Sequence, residues 1–257
     1  LLLLGKIISV VNQKGGVGKT TTTVNVSACL AKQGKSVLLI DLDPQGNATS
    51  GLGIDTDELN NTIYQVLIGE CTMEESILQT EFGSLYLSPS DIQLAGAEVE
   101  LVSVPKREYI LKEALSSVKD QYDYIFIDCP PSLNLMTVNA LVCSDSVLIP
   151  VQCEYYALEG LSRLMQTIKS MKKQLNEGLE IEGILLTMYD SRTNLSMMVA
   201  EEVKKYFEKK VYHAVIPRNV RLSEAPSYGQ PIIAYDPYSK GADSYLALAK
   251  EVIQNNK

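Results

Sequence analysis

Two rhythms of apolar residues alternate along this chain. Short, mostly apolar runs at Ile7–Val11, Ser36–Ile40, Leu85–Ser88, Tyr124–Asp128, Ser146–Val151 and Ile181–Met188 read as strands, and the first, β-branched and unalternating, with those at 36–40 and 146–151, reads as buried. Between them apolar residues return every three or four positions, the spacing of one helix face. Val24, Ala28, Leu30 and Ala31 predict a helix opening at Lys19 and ending at Gly34, a residue suited to a left-handed cap. Ile63, Val66 and Leu67 predict a short helix inside the glycine-punctuated stretch from Gly51 to Gly69. Further helices are predicted over Leu94–Val102, Glu108–Val118, Leu161–Met171, around Val199, Val203, Tyr206 and Phe207, and over Ala242–Gln254. Strands separated by helical segments call for a parallel sheet with helices on both faces.

Composition narrows the class. A chain of 257 residues suits one large α/β domain covering 1–257. No run of eighteen apolar residues is present, so no membrane span is expected. Leu1–Leu4 is too short for a signal-peptide core, and the missing Met suggests a trimmed start. Five cysteines with no C-x-x-C pair point to a reducing cytoplasm. The net charge of −8 argues against a nucleic-acid binder taken whole. It is unevenly spread, however. Residues 1–150 carry 9 Lys and Arg against 18 acids, whereas 151–257 carry 14 against 13. Four of the five arginines lie in the second part, and arginine is the better phosphate fork.

The candidate chemistry begins where the first strand ends. Lys14-Gly15-Gly16-Val17-Gly18-Lys19-Thr20-Thr21 lies between that strand and the first helix. A phosphate loop reads Gly-x-x-x-x-Gly-Lys-Ser/Thr, and Gly18, Lys19 and Thr20 fill its last three places while Gln13 replaces the first glycine. Glycines let backbone N–H groups turn inward on an anion, and the following helix aims its positive end at the same point. A triphosphate suits that concavity, with Lys19 on the β- and γ-phosphates and the Thr20 hydroxyl on Mg²⁺. The second strand delivers Asp41-Leu42-Asp43-Pro44-Gln45 at its carboxyl end, where open α/β sheets bind ligands. A carboxylate there can orient the attacking water or accept its proton, and Asp41 equally reads as a helix cap or loop carboxylate. The Tyr124–Asp128 strand ends in an acid able to hold Mg²⁺ through water, and Pro130 and Pro131 force the chain out of the sheet just after it.

Lys14 goes beyond an ordinary phosphate loop. The segment resembles the deviant Walker A motif, Lys-Gly-Gly-x-Gly-Lys-Thr, of the ParA/MinD ATPases, and the resemblance extends from Lys6 to Val252. It implies a SIMIBI-class P-loop NTPase fold, with ATP and Mg²⁺ bound at Lys14 to Thr21, that is Lys14, Gly15, Gly16, Val17, Gly18, Lys19, Thr20 and Thr21. By the same resemblance Lys14 reaches across a nucleotide sandwich homodimer to the partner's ATP. Asp41-Leu42-Asp43-Pro44-Gln45 matches the family's Asp-x-Asp-Pro-Gln, which assigns hydrolysis to Asp43, also a further candidate metal ligand. Asp128 followed by Pro130-Pro131 matches its Asp-x-Pro-Pro switch. Glu154 matches a glutamate that helps hold the nucleotide across the dimer; a helix-start acid is the alternative reading. Pro217-Arg218-Asn219 matches the turn against adenine, giving Pro217 and Asn219. The family's DNA-contacting arginines match Arg192 and Arg221, with Arg218 a weaker third; surface ion pairs with Asp190 or Glu224 are the alternative.

The short ParA/Soj type fits best, because no DNA-binding domain precedes the loop. It implies ATP-dependent binding to non-specific duplex DNA on the nucleoid, release after slow hydrolysis stimulated by a ParB-type centromere-binding partner, and no membrane contact. A MinD-like membrane-positioned ATPase would need a terminal amphipathic basic helix, and 246–257 makes a poor one. A tyrosine autokinase would need a terminal tyrosine cluster, which Tyr235, Tyr238 and Tyr245 do not form. An iron protein would need glycine-flanked cluster cysteines, and an ArsA-type pump a second phosphate loop. His213 has no cysteine or histidine at metal spacing and reads as structural.

Overall fold

The computed structural model describes residues 5–256. Its strands are β1 (Lys6–Val10), β2 (Val37–Asp41), β3 (Leu78–Gln79), β4 (Leu85–Ser88), β5 (Tyr124–Asp128), β6 (Ser146–Gln152), β7 (Glu180–Tyr189) and β8 (Val211–Pro217). They form one sheet in the order β3-β4-β2-β5-β1-β6-β7-β8, parallel throughout except for the β3/β4 edge pair. The mostly parallel sheet with helices on both faces is the expected P-loop NTPase architecture.

Alternation within each strand divides the apolar residues between two cores. Ile8, Val10, Leu39, Phe126 and Leu148 face α1 (Lys19–Lys32), whereas Ile7, Leu38, Ile40, Ile125 and Ile127 point to the other side. The helices that follow are α2 (Asn47–Gly51), α3 (Ile63–Ile68), α4 (Met73–Ser76), α5 (Leu94–Glu100), α6 (Ile110–Leu115), α7 (Leu135–Cys143), α8 (Ala157–Gln174) and α9 (Asn194–Phe207). α10 (Val220–Glu224), α11 (Ile232–Tyr235) and α12 (Lys240–Asn255) complete the chain. The apolar face of α12, with Tyr245, Leu248, Ala249 and Val252, is buried with α1 in the second core and is not offered to a membrane.

Several elements depart from the sequence reading. The helix expected over Glu108–Val118 is only Ile110–Leu115, entered by a 3-10 turn at Arg107–Tyr109, and Leu94–Val102 gives way to a 3-10 turn after Glu100. β3, β8, α2, α4, α7, α10 and α11 have no counterpart in the sequence expectation. β8 is a half-buried strand carrying an exposed His213, so no continuous apolar run marks it. It packs against β7 through Gly183, where a Cβ would lie 2.3 Å from the Tyr212 ring. The Leu1–Leu4 and Lys257 positions discussed from sequence lie outside the described residues.

At the amino edge of the sheet Glu182 of β7 gathers donors from three directions. Lys6 approaches it at 2.6 Å, and the Ser146 hydroxyl and the Asn256 amide each donate to it at 2.6 Å. Its side chain is 3% exposed, so β1, β6 and the end of α12 meet on one buried carboxylate.

Candidate functional site

β1 occupies the middle of the sheet, and the chain leaves it towards β2 on one side before β6 joins it on the other. The loop after β1 thus opens on the crevice outside the strand ends. Gly16 and Gly18 adopt φ of +72° and +88°, which L side chains rarely tolerate, and nothing lies within 4 Å of a Cβ built on Gly15 or Gly16. The loop is therefore open on the side a phosphate would approach. Thr187 of β7 fixes it from below, its hydroxyl donating 2.8 Å to the Val17 carbonyl.

Lys19 is buried at the head of α1, and its ammonium donates to the Lys14 carbonyl at 3.1 Å. Burial draws its pKa down, opposed by the charges of Asp128 and Asp43. The Thr20 hydroxyl donates to Asp128 Oδ2 at 2.7 Å, and the Thr23 hydroxyl lies 3.0 Å from Oδ1. Sheet register sets Asp41 directly beside Asp128. Both carboxyls are raised above the ordinary range by burial, and Asp128 also by the charge of Asp41.

Asp41 and Asp43 have different surroundings. Asp41 is fully buried and accepts the Thr49 N–H and hydroxyl at 2.9 and 2.8 Å, fastening α2 to the strand end. This is the structural reading left open from sequence. Asp43 lines the cavity beside the loop, and among the described residues its carboxylate accepts only the Gln45 N–H, at 3.0 Å. One face of that carboxylate is left to the cleft.

The cleft has two ends. One, of about 510 Å³, is lined by Gly15, Gly16, Lys19, Thr20, Asp43 and Pro131; the other, of about 420 Å³, by Thr187, Pro217, Arg218 and Asn219. They share Gly18, Thr21, Met188 and Pro226. Met188 at the neck takes φ +50°, a conformation that a non-glycine side chain holds only when its surroundings impose it. Thr49, Thr187 and Met188 escaped the sequence reading, since nothing local distinguishes a strand-end threonine or methionine from core. Asn219 serves the second end as the α10 cap, its side-chain oxygen accepting the Arg221 N–H at 2.8 Å.

Lys14 and Glu154, both expected at the nucleotide, form an ion pair with each other within the chain. The three arginines are exposed beyond the ends of β7 and β8. Arg192 is held by Asp190 through two bonds of 2.9 and 2.8 Å, and Arg221 lies 2.8 Å from Glu224 and 3.5 Å from Asp236. Arg218 has no carboxylate within 4.0 Å among the described residues. His213 is exposed, and its backbone N–H donates to Glu251. No cluster of three or more His, Cys, Asp or Glu side chains arranged for a metal occurs among the described residues. A hydroxyl and one buried carboxylate nevertheless suit Mg²⁺, a hard ion that keeps most of its water. No helix among the described residues is long and apolar enough to cross a membrane.

A family model described as an AAA domain matches residues 5–181. The sporulation initiation inhibitor protein Soj of Bacillus subtilis is 62% identical over 252 residues, covering 98% of this chain and 100% of that protein. The chromosome partitioning protein ParA of Myxococcus xanthus is 55% identical over 253 residues, covering 98% and 89%. Among solved structures, cobyrinic acid a,c-diamide synthase from Mycobacterium smegmatis with bound ADP and magnesium superposes with a TM-score of 0.85 at 38% identity, covering 97% of this chain and 94% of that one.

Proposed function

Because this chain belongs to the ParA/Soj family of chromosome-partition ATPases, we propose that it is a nucleotide-switched DNA carrier. ATP lies along the cleft with its phosphates on the 15–20 loop and its base against Pro217 and Asn219. The reading rests above all on one observation: a phosphate loop of the deviant type whose Thr20 hydroxyl meets the buried Asp128 carboxylate at 2.7 Å. Thr20 would hold Mg²⁺ directly and Asp128 through water, with Asp43 a further candidate. Bound there, the ion would supply positive charge to offset that of the phosphates. Lys19 turns from the Lys14 carbonyl to the phosphates, and Asp43 orients the attacking water and takes its proton.

ATP closes two copies face to face. In that state Lys14 exchanges its partner within the chain, Glu154, for the other copy's nucleotide, and Glu154 contributes to the same junction. Pairing doubles the exposed arginines available to DNA. Each phosphate contact displaces counterions, so affinity and salt sensitivity rise together, and an acidic chain holds the duplex backbone without reading bases. Arg192 and Arg221 engage phosphate by leaving Asp190 and Glu224, with Arg218 beside them. A ParB-type partner accelerates an otherwise slow hydrolysis and releases the carrier from the nucleoid. The chain acts as one domain.

Sizing with ADP, with ATP, and with ATP plus random-sequence duplex tests the cycle. A monomer, a dimer and a DNA-bound dimer are expected in turn. Equal size in ADP and ATP, or duplex binding indifferent to nucleotide, would refute it.

A further inference from the structure

Beyond the base end of the cleft, Arg192 and Arg221 are each held by acids of their own chain. Asp190 takes Arg192 through three bonds: Oδ1 accepts the backbone N–H at 3.0 Å and the Nε–H at 2.9 Å, and Oδ2 accepts from Nη2 at 2.8 Å. Arg221 Nη1 donates to Glu224 Oε2 at 2.8 Å, and its Nε lies 3.5 Å from Asp236. The Tyr235 hydroxyl donates to the same Glu224 oxygen at 3.2 Å. An exposed ion pair commonly contributes little, but a two-pronged fork on one carboxylate and a network of several charges are the arrangements that do hold. Asp190 and Glu224 are both drawn below the usual carboxylate range, each first of all by the hydrogen bond from its arginine.

The fork that meets a carboxylate is the fork that meets a phosphate, so neither arginine can serve a duplex while its acid holds it. Three arginines, 192, 218 and 221, stand with three acids, 190, 224 and 236, and their charges cancel. The acids also sit on the walls of the cleft. Asp190 comes two residues after Met188 at the neck, and the Tyr189 carbonyl between them accepts the Arg218 N–H at 3.0 Å. Glu224 belongs to α10, which Asn219 caps and whose Leu222 and Ser223 line the base end.

We propose that Asp190 and Glu224, the latter with Asp236, are specificity-determining residues that mask the arginines of a single copy and so restrict duplex binding to the ATP-paired state. A lone copy must break both ion pairs to gain two phosphate contacts. Once two copies are paired on one duplex, the second copy's contacts form at a high effective concentration, and a gain of about 10²–10⁴ from such linkage exceeds the cost of unmasking. No change of backbone is required. The inference rests on the reading above that these arginines contact duplex DNA, and adds the residues that withhold them.

The test measures binding of random-sequence duplex at low salt with ADP, each protein being shown by sizing to be unpaired. Asp190→Asn keeps an acceptor for the Arg192 N–H, and Glu224→Gln keeps one for the Tyr235 hydroxyl. Each variant is expected to bind duplex about threefold more tightly than the parent, and the two together about tenfold. The gain of Asp190→Asn is expected to vanish when Arg192→Ala is added, and that of Glu224→Gln when Arg221→Ala is added, because each acid acts through its arginine. Gains that persist without the arginines would reduce the acids to diffuse repulsion of DNA and overturn the masks. Variants that bind no more tightly than a parent which itself pairs and binds duplex with ATP would also overturn them, and would leave the assigned function standing. A parent that binds no duplex with ATP would overturn both.

Discussion

Asp41 and Asp128 stand side by side at the ends of neighbouring strands, both wholly buried. Burial is the main reason their carboxyls are lifted, to about 6 for Asp41 and about 7 for Asp128. A carboxyl whose folded pKa lies above its unfolded value, roughly 4, holds its proton more tightly when folded. Its contribution to stability is therefore complete below about pH 4 and is lost as pH rises through 6 to 7. Without Mg²⁺ the unfolding midpoint is expected to fall between about pH 4 and 7, and Asp128→Asn to remove most of that slope; a flat profile in the parent would contradict the assignment. Asp43, with its open carboxylate face, belongs to turnover instead. Asp43→Ala is expected to lower ATP hydrolysis by about 10²–10⁴-fold while leaving ATP-induced dimers intact. Normal turnover in that variant would dismiss Asp43 as the base.

Sequence made some elements plain and hid others for identifiable reasons. β1, β2, β5 and β6 are central strands covered on both faces, so their β-branched runs are uninterrupted and readable. The phosphate loop was equally legible, because its glycines and its lysine each answer a separate steric or electrostatic demand. β8 lies at the sheet's edge and is only half covered, and the two-residue β3 is too short for any period to appear. The ion pairs of Lys14 with Glu154 and of Arg192 with Asp190 depend on side-chain directions that spacing alone does not fix, although Asp190 was anticipated as a partner. Thr187 and Met188 bear on the site only because β7 runs beneath the loop. The amino edge of the sheet supplies a stability test at this scale. Glu182→Ala strands Lys6, Ser146 and Asn256 around a lost acceptor, and a cost of about 2–4 kcal/mol is expected from denaturant unfolding. A change under about 0.5 kcal/mol would show that the three elements are held by packing alone.

Taken as a whole molecule, the chain is acidic in its first 150 residues and nearly balanced in the rest, with its candidate DNA-binding arginines exposed in the balanced part. Arg221→Ala is expected to weaken ATP-dependent binding to random duplex and to reduce the salt slope by about two per dimer, one phosphate contact from each copy. Unchanged affinity and slope would return Arg221 to its ion pair with Glu224. The loop from Lys14 to Thr21 carried the likeness to the ParA/MinD ATPases and the motifs from Asp41 to Asn219 extended it, but the coupling of nucleotide to self-association depends on which partner Lys14 takes. Light scattering of Lys14→Ala against the parent, each with ATP and Mg²⁺ and each verified to bind nucleotide, addresses that coupling most directly. The parent is expected to double its mass and the variant to remain a monomer; a variant that doubles as readily as the parent would contradict that coupling.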